Sequence, residues 1–264
     1  SQGCLFSSGF DNVRDTTASD GFNTRIIGSY EVNETVTLNA QAAQGFRLGG
    51  VNDPLNSTLC STEDEAIFGG FQDYEDETLW NYEAGIKAQR NGWTFNAAVF
   101  HNEIEDLQVT LDAGSCSSRI TFNVPEAHST GVEFEYSYQM TDNLFVAFAG
   151  TILEAEFDTT VVDGTSAVLA GIESGNRLAS TPEVMLSASM AYTFDAPWAG
   201  DNAEGFFTAS YQHVGGQFTQ PSDQVAGAGT FVSGLPFGGA SGLDGTWVDL
   251  ELDPYGLGFL SAGL

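Results

Sequence analysis

Apolar and polar side chains alternate at every second residue through most of this sequence, and this alternation limits the chain to a few folds. In residues 132–140 the even positions hold Val, Phe, Tyr, Tyr and Met, while the odd positions hold Glu, Glu, Ser and Gln. Residues 184–194 repeat the pattern, with Met185 as the one large apolar side chain out of phase. Because successive side chains of a β-strand point to opposite faces of a sheet, the pattern predicts strands with one apolar and one polar face. We therefore predict an all-β fold.

The connections between these segments alternate between short turns and long polar loops. The short connections lie at residues 33–34, 90–92, 141–143 and 196–203, and the long ones at 49–77, 112–118, 158–182 and 215–244. Transmembrane β-barrels have short turns on one side of the membrane and long loops on the other, and their strands need about 9 to 11 residues to cross it. We predict an antiparallel transmembrane β-barrel with short periplasmic turns and long extracellular loops, of which this chain supplies roughly nine or ten strands.

The charge composition excludes one class of partner. The chain has 7 Lys and Arg against 36 Asp and Glu, a formal net charge of -29, whereas nucleic-acid binding needs basic side chains that neutralise phosphates. Hydrophobic residues make up 42% of the chain and aromatic residues 12%, which is too much apolar surface for a disordered acidic chain. No apolar run approaches the roughly 20 residues of a membrane-spanning helix. We therefore expect acidic loops, apolar strand faces and no nucleic-acid partner.

Side chains that could form a catalytic or transition-metal site are scattered along the sequence. His101, His128 and His213 show no metal-binding spacing such as His-x3-His. The sequence also has no Gly-x-Ser-x-Gly nucleophile motif and no glycine loop followed by the Lys that a phosphate site needs. We predict that the chain is not an enzyme and has no catalytic residue.

The long loop 49–77 ends in a cluster of carboxylates, the ligands that hard cations such as Ca²⁺ favour. The cluster consists of Asp73, Glu75, Asp76 and Glu77. The sequence favours a hydrated acidic loop without a metal, and we predict no cofactor. Calcium bound by this cluster is the alternative interpretation.

The 3 cysteines of the chain allow at most one internal disulfide. Cys60 and Cys116 fall in consecutive long loops on the same predicted side. An oxidising exterior would permit a disulfide there, and the bond would tether both loops. Two unpaired cysteines are the alternative. With the bond in place, Cys4 remains without a partner in the chain.

Five segments carry recognisable motifs, namely residues 43–52 (AQGFRLGGVN), 77–87 (ETLWNYEAGIK), 95–109, 123–135 with STGVE at 129–133, and 175–183 (GNRLASTPE). These segments resemble the C-terminal β-barrel portion of TonB-dependent outer-membrane receptors. Each motif is weak alone, but together they follow the order and spacing of the family over about residues 22–212. The resemblance implies that residues 1–264 are part of one transmembrane β-barrel domain and that the plug domain of the family is not present in this chain.

A receptor of this family would import a scarce nutrient, such as a metal–siderophore, cobalamin or a glycan, across the bacterial outer membrane. The resemblance implies three kinds of partner: the lipid bilayer with its lipopolysaccharide, the nutrient, and a TonB-type energy-coupling protein that engages the region upstream of the barrel. A passive porin or a structural outer-membrane barrel is one alternative function. A soluble all-β carbohydrate-binding module is another.

Within a barrel, the alternation assigns side chains to the lipid, the lumen or the loops. The lipid-facing candidates are Val132, Phe134, Tyr136, Tyr138, Val184, Leu186, Met190, Tyr192 and Phe194. The candidates that face the lumen and the plug are Arg25, Glu83, Lys87, Gln89, Glu133 and Glu135. Aromatic residues of the loop 49–77 are candidates for ligand contact, namely Phe68, Phe71 and Tyr74.

Overall fold

A computed structural model describes residues 21–56, 58–116, 118–231 and 246–264, and the structural statements below refer to these residues. The strands are β1 (Arg25–Asn33), β2 (Val36–Arg47), β3 (Gly50–Val51), β4 (Asp73–Tyr74), β5 (Glu77–Arg90), β6 (Trp93–Asp112), β7 (Arg119–Thr141), β8 (Leu144–Phe157), β9 (Val184–Asp195), β10 (Glu204–Val214), β11 (Thr230–Phe231), β12 (Thr246–Trp247) and β13 (Tyr255–Gly263). One α-helix, α1 (Thr62–Phe68), and two 3₁₀ turns, Gly114–Cys116 and Pro221–Gln224, lie in the connections.

The long strands form a single 9-stranded sheet in the order β1-β2-β5-β6-β7-β8-β9-β10-β13. Every neighbouring pair is antiparallel, and strands β1 and β13 form the two edges of the sheet. The prediction of an antiparallel all-β fold is therefore confirmed. Within the described ranges, no helix is both long and apolar enough to span a membrane.

All the short connections lie at one end of the sheet, which we call the turn end, and the long connections lie at the opposite loop end. The β5–β6 turn is made by Asn91 and Gly92, both with positive φ, of 43° and 84°. Asn and Gly tolerate this left-handed backbone at little cost. The β1–β2 turn is closed by Asn33, whose side-chain oxygen accepts hydrogen bonds from the backbone N–H groups of Thr35 and Val36 at 2.8 and 3.1 Å.

Helix α1 lies in the connection between β2 and β5, which the sequence analysis treated entirely as a loop. Ser61 caps the helix, since its side-chain oxygen accepts a hydrogen bond from the backbone N–H of Asp64 at 3.1 Å. Acidic side chains occupy the first turn of the helix, where they interact favourably with the helix dipole. The sequence did not indicate this helix because 7 residues are too few for a clear helical period.

The main buried hydrophobic cluster lies at the loop end and not along the middle of the sheet. Its members are Phe68, Leu111, Ala113, Cys116, Ile120, Phe122, Val124, Ala127, Phe157, Leu169 and Ile172. They come from the outer parts of β6, β7 and β8, from α1 and from the β8–β9 loop. We call this packed region, residues 48–56, 58–76, 106–116, 118–127 and 157–183, the loop cap.

The β6–β7 hairpin changes its buried side where it leaves the sheet. On β7 the buried residues are Ile120, Phe122, Val124 and Ala127. The buried residues thus occupy even positions up to Val124 and an odd position at Ala127, so the buried side changes between them. Asp106, which lies opposite this change on β6, has a positive φ of 56°. Ala127 pairs with the buried Phe157, and odd positions further along β7 hold Glu133. The loop cap therefore packs on the side of the sheet that carries Glu133.

Candidate functional site

The strand register divides the predicted side chains cleanly between the two faces of the sheet. Directly paired residues share a face, so Phe134, Gly150 and Leu186 form one row, and Glu135, Asn96 and Lys87 form another on the opposite face. One face, called the apolar face, carries all the lipid-facing candidates: Val132, Phe134, Tyr136, Tyr138, Val184, Leu186, Met190, Tyr192 and Phe194. The other, the polar face, carries the lumen-facing candidates: Arg25, Glu83, Lys87, Gln89, Glu133 and Glu135.

None of the apolar-face candidates is buried. Val132 exposes 44% of its surface and Leu186 40%, and no candidate on this face belongs to the buried cluster. A soluble sandwich would cover such a face with a second sheet. In the described part of the chain, the other two sheets are each 2-stranded and lie in the connections. Contact of these side chains with lipid stays a prediction.

A row of hydrogen-bonded polar side chains crosses five neighbouring strands on the polar face. The guanidinium of Arg25 donates to the Gln41 oxygen at 2.9 Å, and the Gln41 amide donates to Asn81 at 3.1 Å. The row continues from Asn81 to Asn102 at 2.8 Å and from Asn102 to Ser129 at 2.9 Å. This row of the polar face is thus hydrogen-bonded from strand to strand, and such a surface is suited to a wet or protein-filled interior.

Next to this row lies a hollow of about 320 Å³, whose lining includes Asn39, Glu83, Lys87, Glu133 and Glu135 together with small residues and the apolar Ile86 and Phe134. Its charged side chains are three carboxylates and one ammonium group. The side-chain oxygen of Asn39 is buried and accepts no hydrogen bond from the described residues. A buried acceptor of this kind normally has a donor. The Asn39 oxygen is too buried for an incoming group to reach, but the three carboxylates suit the hollow to a hydrogen-bond donor or a cation that comes from outside the described residues.

The structure joins Cys60 and Cys116 by a disulfide, with 2.15 Å between the sulfur atoms. The bond links the start of α1 to the β6–β7 connection, as the sequence analysis proposed for this pair. Beside it, the Asp64 carboxylate accepts hydrogen bonds from the backbone N–H and the hydroxyl of Ser115 and from the hydroxyl of Ser61. The hydrogen bonds from Ser115, followed by that from Ser61, hold the pKa of Asp64 below its ordinary value. Cys4 lies outside the described residues.

The aromatic residues suggested for ligand contact pack within the loop cap. Phe68 is buried in the main cluster, and the ring of Phe71 lies 5.0 Å from that of Phe122. Tyr74 is half-buried, and its hydroxyl lies directly over Gly50, where a Cβ atom would be only 2.4 Å away. These rings stabilise the loop cap from within. Ligand contact by them stays a prediction.

The acidic cluster at the end of the 49–77 loop is divided among separate partners. Glu77 forms an ion pair with Arg47 and accepts a hydrogen bond from the backbone N–H of Gln108 at 2.8 Å. Asp76 accepts a hydrogen bond from the backbone N–H of Gly49 at 2.6 Å. Among the described residues, no group of three or more His, Cys, Asp or Glu side chains is arranged to hold a metal. Calcium binding at Asp73, Glu75, Asp76 and Glu77 stays a prediction.

Two histidines that are distant in sequence become neighbours because β6 and β7 pair. The rings of His101 and His128 are 6.0 Å apart. The Nδ1 atom of His101 lies 2.6 Å from the Thr130 hydroxyl, and that of His128 lies 2.8 Å from the Asp158 carboxylate. The two contacts fix the orientation of both rings, and the absence of catalysis stays a prediction.

Arg177 connects three segments at the loop end, a role that its sequence motif did not indicate. Its guanidinium donates to Glu251 at 2.9 Å and to the Gly216 carbonyl at 2.9 Å, and it lies 3.5 Å from Glu183. The ring of Phe218 lies 5.5 Å below the guanidinium carbon. Glu183 belongs to the same GNRLASTPE segment as Arg177. The partners Gly216, Phe218 and Glu251 come from distant parts of the chain, so the sequence around Arg177 did not indicate them.

The comparisons with known proteins agree with this architecture. The protein-family model described as TonB dependent receptor-like, beta-barrel, matches residues 6–257, a longer stretch than the resemblance found in the sequence. The ferric yersiniabactin uptake receptor FyuA from Yersinia pestis is similar in structure, with a TM-score of 0.61 and 17% identity over 90% of this chain and 29% of that protein. BauA, the ferric preacinetobactin receptor from Acinetobacter baumannii, has a TM-score of 0.58 and 9% identity over 90% of this chain and 28% of its own.

The FrpB iron transporter from Neisseria meningitidis, F3-3 variant, has a TM-score of 0.54 and 18% identity, covering 92% of this chain and 32% of its own. The chain thus spans less than a third of the length of each of these proteins. Its open sheet is therefore an arc of a larger transmembrane barrel, and the edges at β1 and β13 are where further strands would continue the wall. By its family match and its fold, the chain belongs to the TonB-dependent receptor family and forms part of the β-barrel of such a receptor.

Proposed function

We propose that the chain forms part of the wall and the outer loops of a bacterial outer-membrane receptor that imports a scarce nutrient with energy supplied through a TonB-type protein. The imported nutrient would be a metal–siderophore, cobalamin or a glycan. The single observation that carries this proposal is the two-faced sheet: its apolar face is exposed and its polar face is hydrogen-bonded across five strands. A barrel wall between lipid and a wet interior needs this arrangement.

Each region of the chain would have its own surroundings or role in such a receptor. The apolar face would contact the bilayer and lipopolysaccharide, and the turn end would face the periplasm. The hollow beside Glu83, Glu133 and Glu135 would receive donor groups of a plug domain, because its carboxylates outnumber its one ammonium group. The energy-coupling protein would act on that plug. The wall and the loop cap would serve as a rigid scaffold.

Transport by the full-length receptor provides the test. Isogenic cells with and without the energy-coupling protein would be given a radiolabelled ferric siderophore, cobalamin or an oligosaccharide in separate assays. We expect uptake of one of them to depend on both the receptor and the coupling protein. Uptake that persists without the coupling protein would instead identify a passive porin.

Folding of the same full-length receptor is tested by gel migration before and after boiling. A closed barrel resists detergent at room temperature and migrates differently once it is boiled. Unchanged migration, together with purification in water without detergent, would support the soluble carbohydrate-binding module and refute the barrel.

A further inference from the structure

A second hollow lies at the loop end, between the tip of the β6–β7 hairpin and the loop segments 178–181 and 219–221. Its volume is about 490 Å³, within the range of about 300–1,000 Å³ that small-molecule sites have. Its apolar floor is formed by Leu107, Val109, Phe157, Leu178 and Pro221. Threonine and glutamine side chains and one Asp–Arg pair form the rim.

The walls of this hollow are clamped together. A Cβ atom at Gly171, which has a φ of 77°, would lie 2.3 Å from the Pro221 carbonyl oxygen, so the β8–β9 loop touches the segment beyond β10 directly. The Gln224 side chain accepts a hydrogen bond from the Arg177 N–H at 2.9 Å and donates one to the Arg177 carbonyl at 2.8 Å. Such contacts hold the hollow open in a fixed shape before any solute arrives.

The arginines around the hollow are already paired with carboxylates. The pairs are Arg119 with Asp112 at 3.4 Å, Arg177 with Glu251 at 2.9 Å, and Arg47 with Glu77. At the rim, Asp223 adds a further negative charge, and it accepts hydrogen bonds from the Thr219 hydroxyl and the Gln220 N–H at 2.9 and 3.0 Å. The chain as a whole carries a net charge of -29. Each arginine around the hollow in the described ranges therefore shares its charge with a carboxylate, although the Arg119–Asp112 pair is largely exposed, and an anionic solute would enter a negative field.

We propose that this hollow admits cationic and neutral small solutes and excludes anionic ones, so that the imported nutrient carries no net negative charge. The inference rests on the proposed transport function and narrows its substrate class. A negative field raises the local concentration of cations and lowers that of anions. The apolar floor binds the hydrophobic part of a neutral or cationic ligand equally well.

The test measures the electrostatic potential in the hollow of the full-length receptor. A Thr110→Cys variant on the rim, with other unbonded cysteines replaced by serine, is reacted with two methanethiosulfonate reagents of similar size. One carries a trimethylammonium group and the other a sulfonate group. The ratio of the two labelling rates is divided by the ratio that the same reagents give with free 2-mercaptoethanol. This division removes the difference in their intrinsic reactivity. We expect the cationic reagent to be favoured at least about tenfold, and we expect the preference to fall at about 1 M salt, where the Debye length is about 3 Å.

Two further variants change the charge at the rim in opposite directions. In the same Thr110→Cys background, Arg119→Gln removes a rim cation and is expected to increase the preference, whereas Asp112→Asn is expected to decrease it. A normalised ratio near one, or a preference for the sulfonate reagent, overturns the inference. Labelling needs no energy coupling, so a failure here would leave coupling-dependent uptake, the test of the proposed function, unaffected.

Discussion

Placing an arginine on each face of strand β9 tests the orientation of the wall. Met190 lies near the middle of the apolar residues of β9, and 36% of its surface is exposed. It pairs with Val146 and Ala209, so its surroundings on this face are apolar. Ser189, the adjacent residue, points to the polar face and lines a hollow of about 430 Å³ together with other serines and glutamine. The two positions are one residue apart and differ mainly in the face that they occupy.

The expected magnitude follows from the environment of each side chain. An arginine on the lipid side of a barrel costs about 2–4 kcal/mol near the bilayer midplane. Since about 1.4 kcal/mol corresponds to a factor of ten, Met190→Arg should lower the folding equilibrium constant by about 30- to 700-fold. Ser189→Arg should change it by less than about threefold, because the guanidinium stays in the wet interior, where it has room.

The measurement is a guanidinium titration of the full-length receptor folded in phosphatidylcholine vesicles, followed by tryptophan fluorescence and by gel migration. Met190→Ala serves as the control for loss of the methionine side chain itself, since its effect must be subtracted from that of the arginine. If Ser189→Arg destabilised the barrel as much as Met190→Arg, or if the effects were reversed, the assignment of the two faces would be wrong.

Three further predictions concern the loop end. Cys60→Ser should make the 52–76 segment more sensitive to limited proteolysis by at least about tenfold, because the disulfide and the contacts beside it hold this segment on the β6–β7 hairpin; an unchanged cleavage rate would refute that tether. Asp64 has a lowered pKa, so its stabilising effect is present above the ordinary value of 3.8 and is lost as the pH falls below it. Proteolysis of the wild-type cap should therefore accelerate at acid pH, and Asp64→Asn should remove that pH dependence while weakening the cap at neutral pH. Arg177→Lys should loosen the 215–224 segment by about 2 kcal/mol in hydrogen exchange, because one ammonium group cannot replace the branched guanidinium contacts, whereas Arg90→Lys at the exposed β5–β6 turn should have no effect.

Much of the wall could be predicted from the sequence because its determinants are local. The period of two assigned each side chain of residues 132–140 to a face, and the register of β6, β7 and β8 agrees with that assignment. Turn residues such as Asn91 and Gly92 fixed the position of a hairpin through their tolerance of positive φ.

The loop end could not be predicted in the same way because its contacts are not periodic. Phe68 looked available to a ligand in the sequence, yet it is buried among residues of β6, β7 and the β8–β9 loop. The ion pair of Arg177 with Glu251 joins residues 74 positions apart, and no local pattern signals such a contact. The polar character of these loops in sequence also hid the apolar cluster that they share.

The sequence by itself determined that this chain forms two-faced antiparallel strands, joined alternately by short turns and long acidic loops, because alternation and turn chemistry act over a few residues. Only the tertiary structure decided which side of the sheet the loops cover. The change of buried side between Val124 and Ala127, opposite the positive φ of Asp106, folds the loop cap over the polar face. The side that the loops cover depends on packing among segments far apart in the chain. The hydrophobic effect drives this packing, because it favours burial of the apolar surface that these segments share.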